Sequence, residues 1–234
     1  ALLSMLVFYS IRGPRWDERP PDVGPNALWW PRYREYADAC RRLSWLNTDC
    51  QHVCHVAILG KPYRLPWRAA KVCFEHQRDF NYLEERHLWD DAHVEPDGIH
   101  IAGMCYRVLI VEQDADSRAG PGLETLERAG RVIRYDRALE DAQLIERIDE
   151  LAPPDIRVGQ DVPGLRVRHV VKEGCHFFLL FNETHSPVEA TIELPVDGLA
   201  EVFDPWTATS SKMADDGRLA LSGHSLRVIV VDGA

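Results

Sequence analysis

Soft metal ligands are densest at Asp49-Cys50-Gln51-His52-Val53-Cys54-His55. Thiolates and imidazoles bind zinc, and Cys-x-x-Cys-His attaches haem. Here the two cysteines stand one residue too far apart for the haem motif, and no second ligand pair follows at a fixed distance. Val53, Val56, Ile58 and Leu59 mark the segment as a strand, on which Cys54 and His55 point to opposite faces. No metal is expected. A nucleophile elbow needs its Ser or Cys on a tight strand-to-helix turn among glycines. Gly103-Met104-Cys105-Tyr106-Arg107 puts a Cys near a Gly but is followed by a strand, so Cys105 reads as a buried thiol. Gly120-Pro121-Gly122 precedes a helix, yet two glycines without a Lys make a poor phosphate cradle. No flavin, nucleotide or other cofactor is expected.

The elements that must position these residues change character along the chain. Residues 1 to 9 read as a buried strand, and a long loop rich in Pro, Gly, Arg and Asp runs to Pro31. Tyr33, Tyr36, Ala37, Cys40 and Leu43 recur at helical spacing. Strands are predicted at Val53 to Leu59, Ile99 to Ile101, Tyr106 to Glu112 and Arg131 to Tyr135. Helices are predicted at Trp67 to Phe80, Gly122 to Ala129 and Leu139 to Leu151, and residues 81–97 read as a polar stretch. This alternation implies a parallel, doubly wound α/β sheet. Beyond Pro153-Pro154 come short strands with period-two alternation and Gly, Asp and Pro turns, which imply an antiparallel β-sandwich.

Composition narrows the function classes. A formal charge of −10 excludes the clustered cations that nucleic acid requires. No apolar run approaches the ~20 residues that span a bilayer, so no membrane partner is expected. Six cysteines in a chain of 234 residues, most of them in apolar segments, read as reduced thiols and a cytoplasmic setting. Asn182-Glu183-Thr184 fits a glycosylation acceptor in a secreted chain. Ala1-Leu2-Leu3-Ser4-Met5 has the texture of a strand already under way, and a longer parent chain is expected.

Phe8-Tyr9-Ser10-Ile11-Arg12-Gly13, the run from Asp17 to Pro25, and Trp29-Trp30-Pro31 resemble the end of the catalytic barrel in large glycoside hydrolases of the β-galactosidase, β-glucuronidase and α-L-rhamnosidase type. The stretch from Tyr36 to about Asp155 is similar to the glutamine-amidotransferase-like domain, flavodoxin-like in fold, that many of those enzymes carry after the barrel. Phe181-Asn182-Glu183-Thr184, the run from Val202 to Thr207, and Gly223 to Val230 resemble their closing β-sandwich. Two departures are visible: Met5-Leu6-Val7 stands where such enzymes often have a His, and Ala208 where the turn would have Gly. The layout implied is residues 1–46 as the end of the barrel, 47–155 as the amidotransferase-like domain and 156–234 as the sandwich.

The resemblance implies hydrolysis of O-glycosyl bonds by the parent chain, whose carbohydrate substrate meets the barrel. Two carboxylates must flank the scissile bond. Asp17 and Glu18 are the candidates here, although Arg12, Arg15 and Arg19 could equally pin them as ion pairs. Tyr9, Arg12, Trp29 and Trp30 could contact sugar, the aromatics by stacking or simply as packing anchors. Asp79, Asn81 and Tyr82 could reach the cleft if the α/β domain leans on the barrel; otherwise they form a solvated or docking face. The segment then supports the barrel or makes a homo-oligomer contact. A stand-alone flavodoxin-like binding or assembly module is the alternative.

Overall fold

The computed structural model describes residues 29–112, 116–136, 138–160 and 162–233. Tyr9, Arg12, Asp17 and Glu18 lie outside them. The first helix, α1 (Tyr33–Asn47), leads through β1 (Gln51–His52) into β2 (Val56–Gly60), α2 (Arg68–Glu75), β3 (Asn81–Glu84) and α3 (His87–Asp90). A hairpin sheet follows, made of β4 (His93–Glu95), β5 (Gly98–Ile101) and β6 (Met104–Tyr106). Then come β7 (Val108–Val111), α4 (Gly120–Arg128), β8 (Val132–Arg134) and α5 (Asp141–Leu151).

β2, β3, β7 and β8 form a parallel sheet in the order β3-β2-β7-β8. Every residue of β2 and β7 is buried, as expected of strands covered on both faces. Val56 and Ile58 meet α2 and α5 through Ala69, Cys73, Leu144 and Ile148. Ala57 and Leu59 meet Leu88, Ile99, Leu123 and Leu126 on the other face. That second face is covered by α3, α4 and the hairpin, so the hairpin does work that a crossover helix usually does. Glu140 and Gln143 form a reciprocal capping box at the start of α5, and Gly130 takes positive φ just past α4.

The remaining strands are β9 (Arg157–Val158), β10 (Leu165–Lys172), β11 (Cys175–Asn182), β12 (Val188–Glu193), β13 (Ala200–Asp204), β14 (Thr209–Lys212), β15 (Arg218–Leu221) and β16 (Leu226–Val231). They form two sheets, β1-β10-β11-β16-β13-β14 and β15-β12-β9. Phe178, Leu180, Ile229 and Val231 face Ala190, Ile192, Leu219 and Leu221 across the core. The alternate residues Val170, Val228 and Val230 point outward, where Leu46 of α1 covers them. Ala208 has φ +57, the left-handed conformation that a glycine would take without strain.

The structure revises several expectations. The stretch 81–97 is not simply polar loop, because it folds into β3, α3 and β4. The first central strand begins at Val56, not Val53. β1, assigned by sequence to the α/β segment, pairs with β10 of the sandwich, Gln51 opposite Val171. Asn182 is fully buried, with its side-chain amide donating to the carbonyls of Ser186 (2.8 Å) and Ser222 (3.0 Å), so the folded chain offers no glycosylation acceptor there. Among the described residues, no helix is long and apolar enough to cross a membrane.

Candidate functional site

Ligands of doubly wound sheets bind outside the carboxyl ends of the strands, where the strand order reverses. In this sheet the place lies between β2 and β7. The four strands there lead into Lys61, Glu85, Glu112 and Tyr135, none of them a thiol or hydroxymethyl nucleophile. The chain's own side chains take up part of this edge, beside a polar cleft of about 470 Å³ lined by Pro62, Tyr63, Glu84, Glu85, Trp89 and Arg118. Lys61 and Arg64 pair their backbones in a tight turn, which brings Leu65 so close that a Cβ on Gly60 would meet its Cδ2 at 2.8 Å. Glu112 Oε1 accepts from the Ala69 amide at 2.5 Å, taking the α2 N-terminal donor that an anionic ligand would use. Buried Glu85 accepts from the Asp116 amide at 2.8 Å. Two hydrogen-bonded donations from Arg118, side chain then backbone, hold the Asp116 carboxyl down to about 2.

The amino edge of the same sheet faces the sandwich. His52 Nε2 donates to Asp79 Oδ2 at 2.5 Å. Asn81 Nδ2 lies 3.2 Å from His52 Nδ1 and 3.1 Å from the Tyr106 hydroxyl. The Asn81 donor fixes the tautomer, with the His52 proton on Nε2. Beyond a cavity of about 40 Å³ lined by Cys54, Asp79, Asp155 and His169, a second relay runs from Asp155 to His169 (3.5 Å) and on to His176 (3.0 Å). His169 stacks on Phe178 at 4.2 Å. Burial first, and then the neighbouring His169, lowers the His176 pKa, while Asp155 opposes the shift. Gln77, buried at the end of α2, donates to the carbonyls of Val162 (2.8 Å) and Leu165 (3.3 Å) in the sandwich.

The residues singled out from the sequence therefore divide. Asp79 and Asn81 meet on His52, whereas strand alternation turns Tyr82 to the other face, where its hydroxyl donates to Pro66 O at 2.6 Å. Trp30 stacks on Tyr33 at 5.1 Å, Trp29 lies 5.6 Å from the same ring, and the row continues through Tyr36 to Trp206 of the sandwich. Below that row, Trp45, Leu46, Phe177, Phe203 and Val230 line an apolar groove of about 400 Å³. Tyr106, His169 and His176 were not singled out from the sequence, and His52 only as a possible metal ligand, since only the fold brings them to one junction.

The soft-ligand run does not converge either. Buried Cys54 donates to Val56 O at 3.4 Å, and burial pushes its pKa far up, so it is no ready thiolate. His55 Nδ1 donates to Cys105 O at 3.0 Å. Cys105 itself is half-buried on an outer strand face, which corrects the expectation of a buried thiol. All six cysteines are free.

No family model matches this chain, and no curated protein does. Solved structures do match. A rhamnosidase from Novosphingobium sp. PP1Y superposes with a TM-score of 0.65 at 15% identity, over 88% of this chain and 25% of the rhamnosidase. The fold follows part of that enzyme's backbone. A GH42 β-galactosidase from G. stearothermophilus gives a TM-score of 0.56 at 11% identity, over 90% of this chain and 45% of that enzyme. A β-galactosidase from Bacillus circulans sp. alkalophilus gives 0.54 at 10%, over 89% and 46%. The chain thus spans between a quarter and just under half of the length of these enzymes. Identities this low concern the path of the backbone, and the sites above have to be judged on their own chemistry.

Proposed function

We propose that this chain is the accessory portion of a carbohydrate-active glycoside hydrolase, supporting a catalytic barrel that meets the sugar, or joining copies of the enzyme. The observation that carries the reading is the superposition on the rhamnosidase, which takes in 88% of this chain and only 25% of the enzyme. In that reading residues 1–46 close the barrel, residues 47–155 are amidotransferase-like and residues 156–234 form the sandwich. The order β3-β2-β7-β8, which is 2-1-3-4 among the parallel strands, supports a flavodoxin-like domain. The carboxyl edge, where the described strand ends carry no thiol or hydroxymethyl nucleophile, supports a domain without amidotransferase chemistry. Tyr63, Leu65 and Trp67 stand exposed on the loop over that edge, and the Trp30 to Trp206 aromatic row lies on α1. Large exposed apolar side chains grouped in this way suit an interface. Free thiols suit a cytoplasmic enzyme.

Two measurements test the reading together. The 234-residue chain alone should release no phenol from aryl α-L-rhamnosides or β-D-galactosides. The native polypeptide, captured with an antibody to this chain, should be longer and should hydrolyse an aryl glycoside. Turnover by the short chain, lost on Asp17→Asn or Glu18→Gln, would put catalysis within it. A native product of this length that is inert toward glycosides would leave the stand-alone module.

A further inference from the structure

The hairpin sheet β4–β6 has one face in the core and one in water. Ile99 and Tyr106 are buried in the core, with Val94, Ile101 and Met104 packed beside them. Strand alternation puts the other residues outward. Apart from Gly98, those are His93, Glu95, His100 and Cys105, and Asp97 sits in the turn between β4 and β5. The register sets three of them in one row across the strands, with His93 opposite His100 and His100 opposite Cys105. Every outward side chain of this small sheet is a metal-ligand type. An ordinary solvated face would carry Lys, Thr or Arg among them.

The ligand atoms also converge. His100 Nε2 lies 3.1 Å from Asp97 Oδ1, 3.9 Å from Glu95 Oε2 and 4.0 Å from Cys105 Sγ. One donor atom from each of Asp97, His100 and Cys105 falls within 4.8 Å of the others. Zinc holds nitrogen and oxygen at about 2.0–2.2 Å and sulfur at about 2.3 Å, so its tetrahedral ligands sit roughly 3.3–3.8 Å apart. Small rotamer adjustments bring this set to that spacing. Gly98 leaves the approach clear, because a Cβ there would fall 2.4 Å from Tyr106 O and 3.4 Å from the Cys105 sulfur. Outer partners are in place as well. Glu95 Oε1 is 2.9 Å from His93 Nε2, and His55 Nδ1 holds the Cys105 carbonyl from behind. Arg131, which donates to Pro96 O at 3.4 Å, is the cation nearest the turn.

We propose that Asp97, His100 and Cys105, with Glu95 or a water completing the tetrahedron, bind one zinc ion that cross-links the hairpin on its outward face. Sulfur and imidazole ligands favour zinc over calcium or magnesium, which prefer oxygen alone. The site is separate from the Cys50 to His55 run and does not depend on the glycosidase reading.

The test uses the full chain without a histidine tag, stripped with chelator, dialysed against zinc and analysed for metal content, with cobalt(II) as a spectroscopic substitute. The expected result is one zinc per chain and a sulfur-to-cobalt charge-transfer band. Cys105→Ser and His100→Ala should each weaken zinc at least about tenfold, the loss that even an outer partner of a metal ligand produces. Cys105→Ser should also abolish the band, and Cys54→Ser should change neither. If Cys105→Ser and His100→Ala unfold by circular dichroism, the wild-type and Cys54→Ser cobalt spectra decide. No zinc retained by the wild type, no thiolate band, or loading lost on Cys54→Ser would overturn the proposal.

Discussion

At its carboxyl edge the parallel sheet is partly filled by its own loops, with Glu112 on the Ala69 amide and Leu65 over Gly60 beside an open polar cleft. At its amino edge it is closed by another unit, through Gln77, the His52-Asp79-Asn81-Tyr106 chain and the pairing of β1 with β10. The first occupies the Ala69 amide and leaves Tyr63, Leu65 and Trp67 exposed. The second joins distant parts of the sequence through buried polar groups. The two edges thus differ in kind, one ending in the domain's own loops and the other hydrogen-bonded to a neighbouring sheet.

The largest effect should come from cutting the bonded edge. Gln77→Ala removes the side-chain bonds that tie the end of α2 to the Val162 and Leu165 carbonyls, a net loss of about 0.5–1.5 kcal/mol per bond, while those carbonyls keep the Leu165 amide and Arg166 as donors. Urea unfolding followed by circular dichroism should register that loss. An unchanged midpoint would mean that the seam is held by apolar contact alone and that the contrast between the edges is one of appearance.

A smaller effect is expected at the carboxyl edge. Glu112→Gln keeps an acceptor for the Ala69 amide but removes the negative charge from the α2 N-terminus, worth about 0.3–1 kcal/mol. Thermal melts at low salt should show a modest decrease. A rise in stability on adding inorganic phosphate to this variant, but not to the wild type, would sharpen the comparison by showing that the side chain occupies an anion site.

Much of this architecture was legible because long apolar strands declare themselves. Val108–Val111 and Val228–Val231 are apolar runs bounded by charged residues and could hardly be anything else. β3 was missed because it is an edge strand of four residues in which only Leu83 is buried, so its alternation never emerges from the charged flank. The junction was missed for a different reason. His52 and Asp79 stand 27 residues apart, and His169 comes much later, so no local spacing links them. The outward row His93, His100 and Cys105 needs the hairpin register before its members become neighbours. Sequence drew attention to Cys50 and Cys54, where the ligands are close along the chain but diverge in space.

The smallest expected effect separates the two edges by pH. Burial and the His169 ring hold the His176 pKa below its ordinary 6.5, so near that pH the unfolded chain binds more protons than the folded one. The stability this group contributes is complete above about pH 6.5 and is lost as pH falls through the depressed folded value. The carboxyl edge responds elsewhere. Asp116, held down to about 2 from its ordinary 3.8 by Arg118, keeps its contribution until the pH drops below about 4. Between about pH 7 and pH 5, then, the amino edge should weaken while the carboxyl edge does not. His176 is only half-buried, and water screens much of its charge, which keeps the effect below those of the two substitutions. Midpoints measured across that range should fall toward acid in the wild type and flatten in His176→Gln. A slope that survives in His176→Gln would assign the pH dependence to groups outside the His169-His176 relay, and the amino edge would lose its distinguishing chemistry.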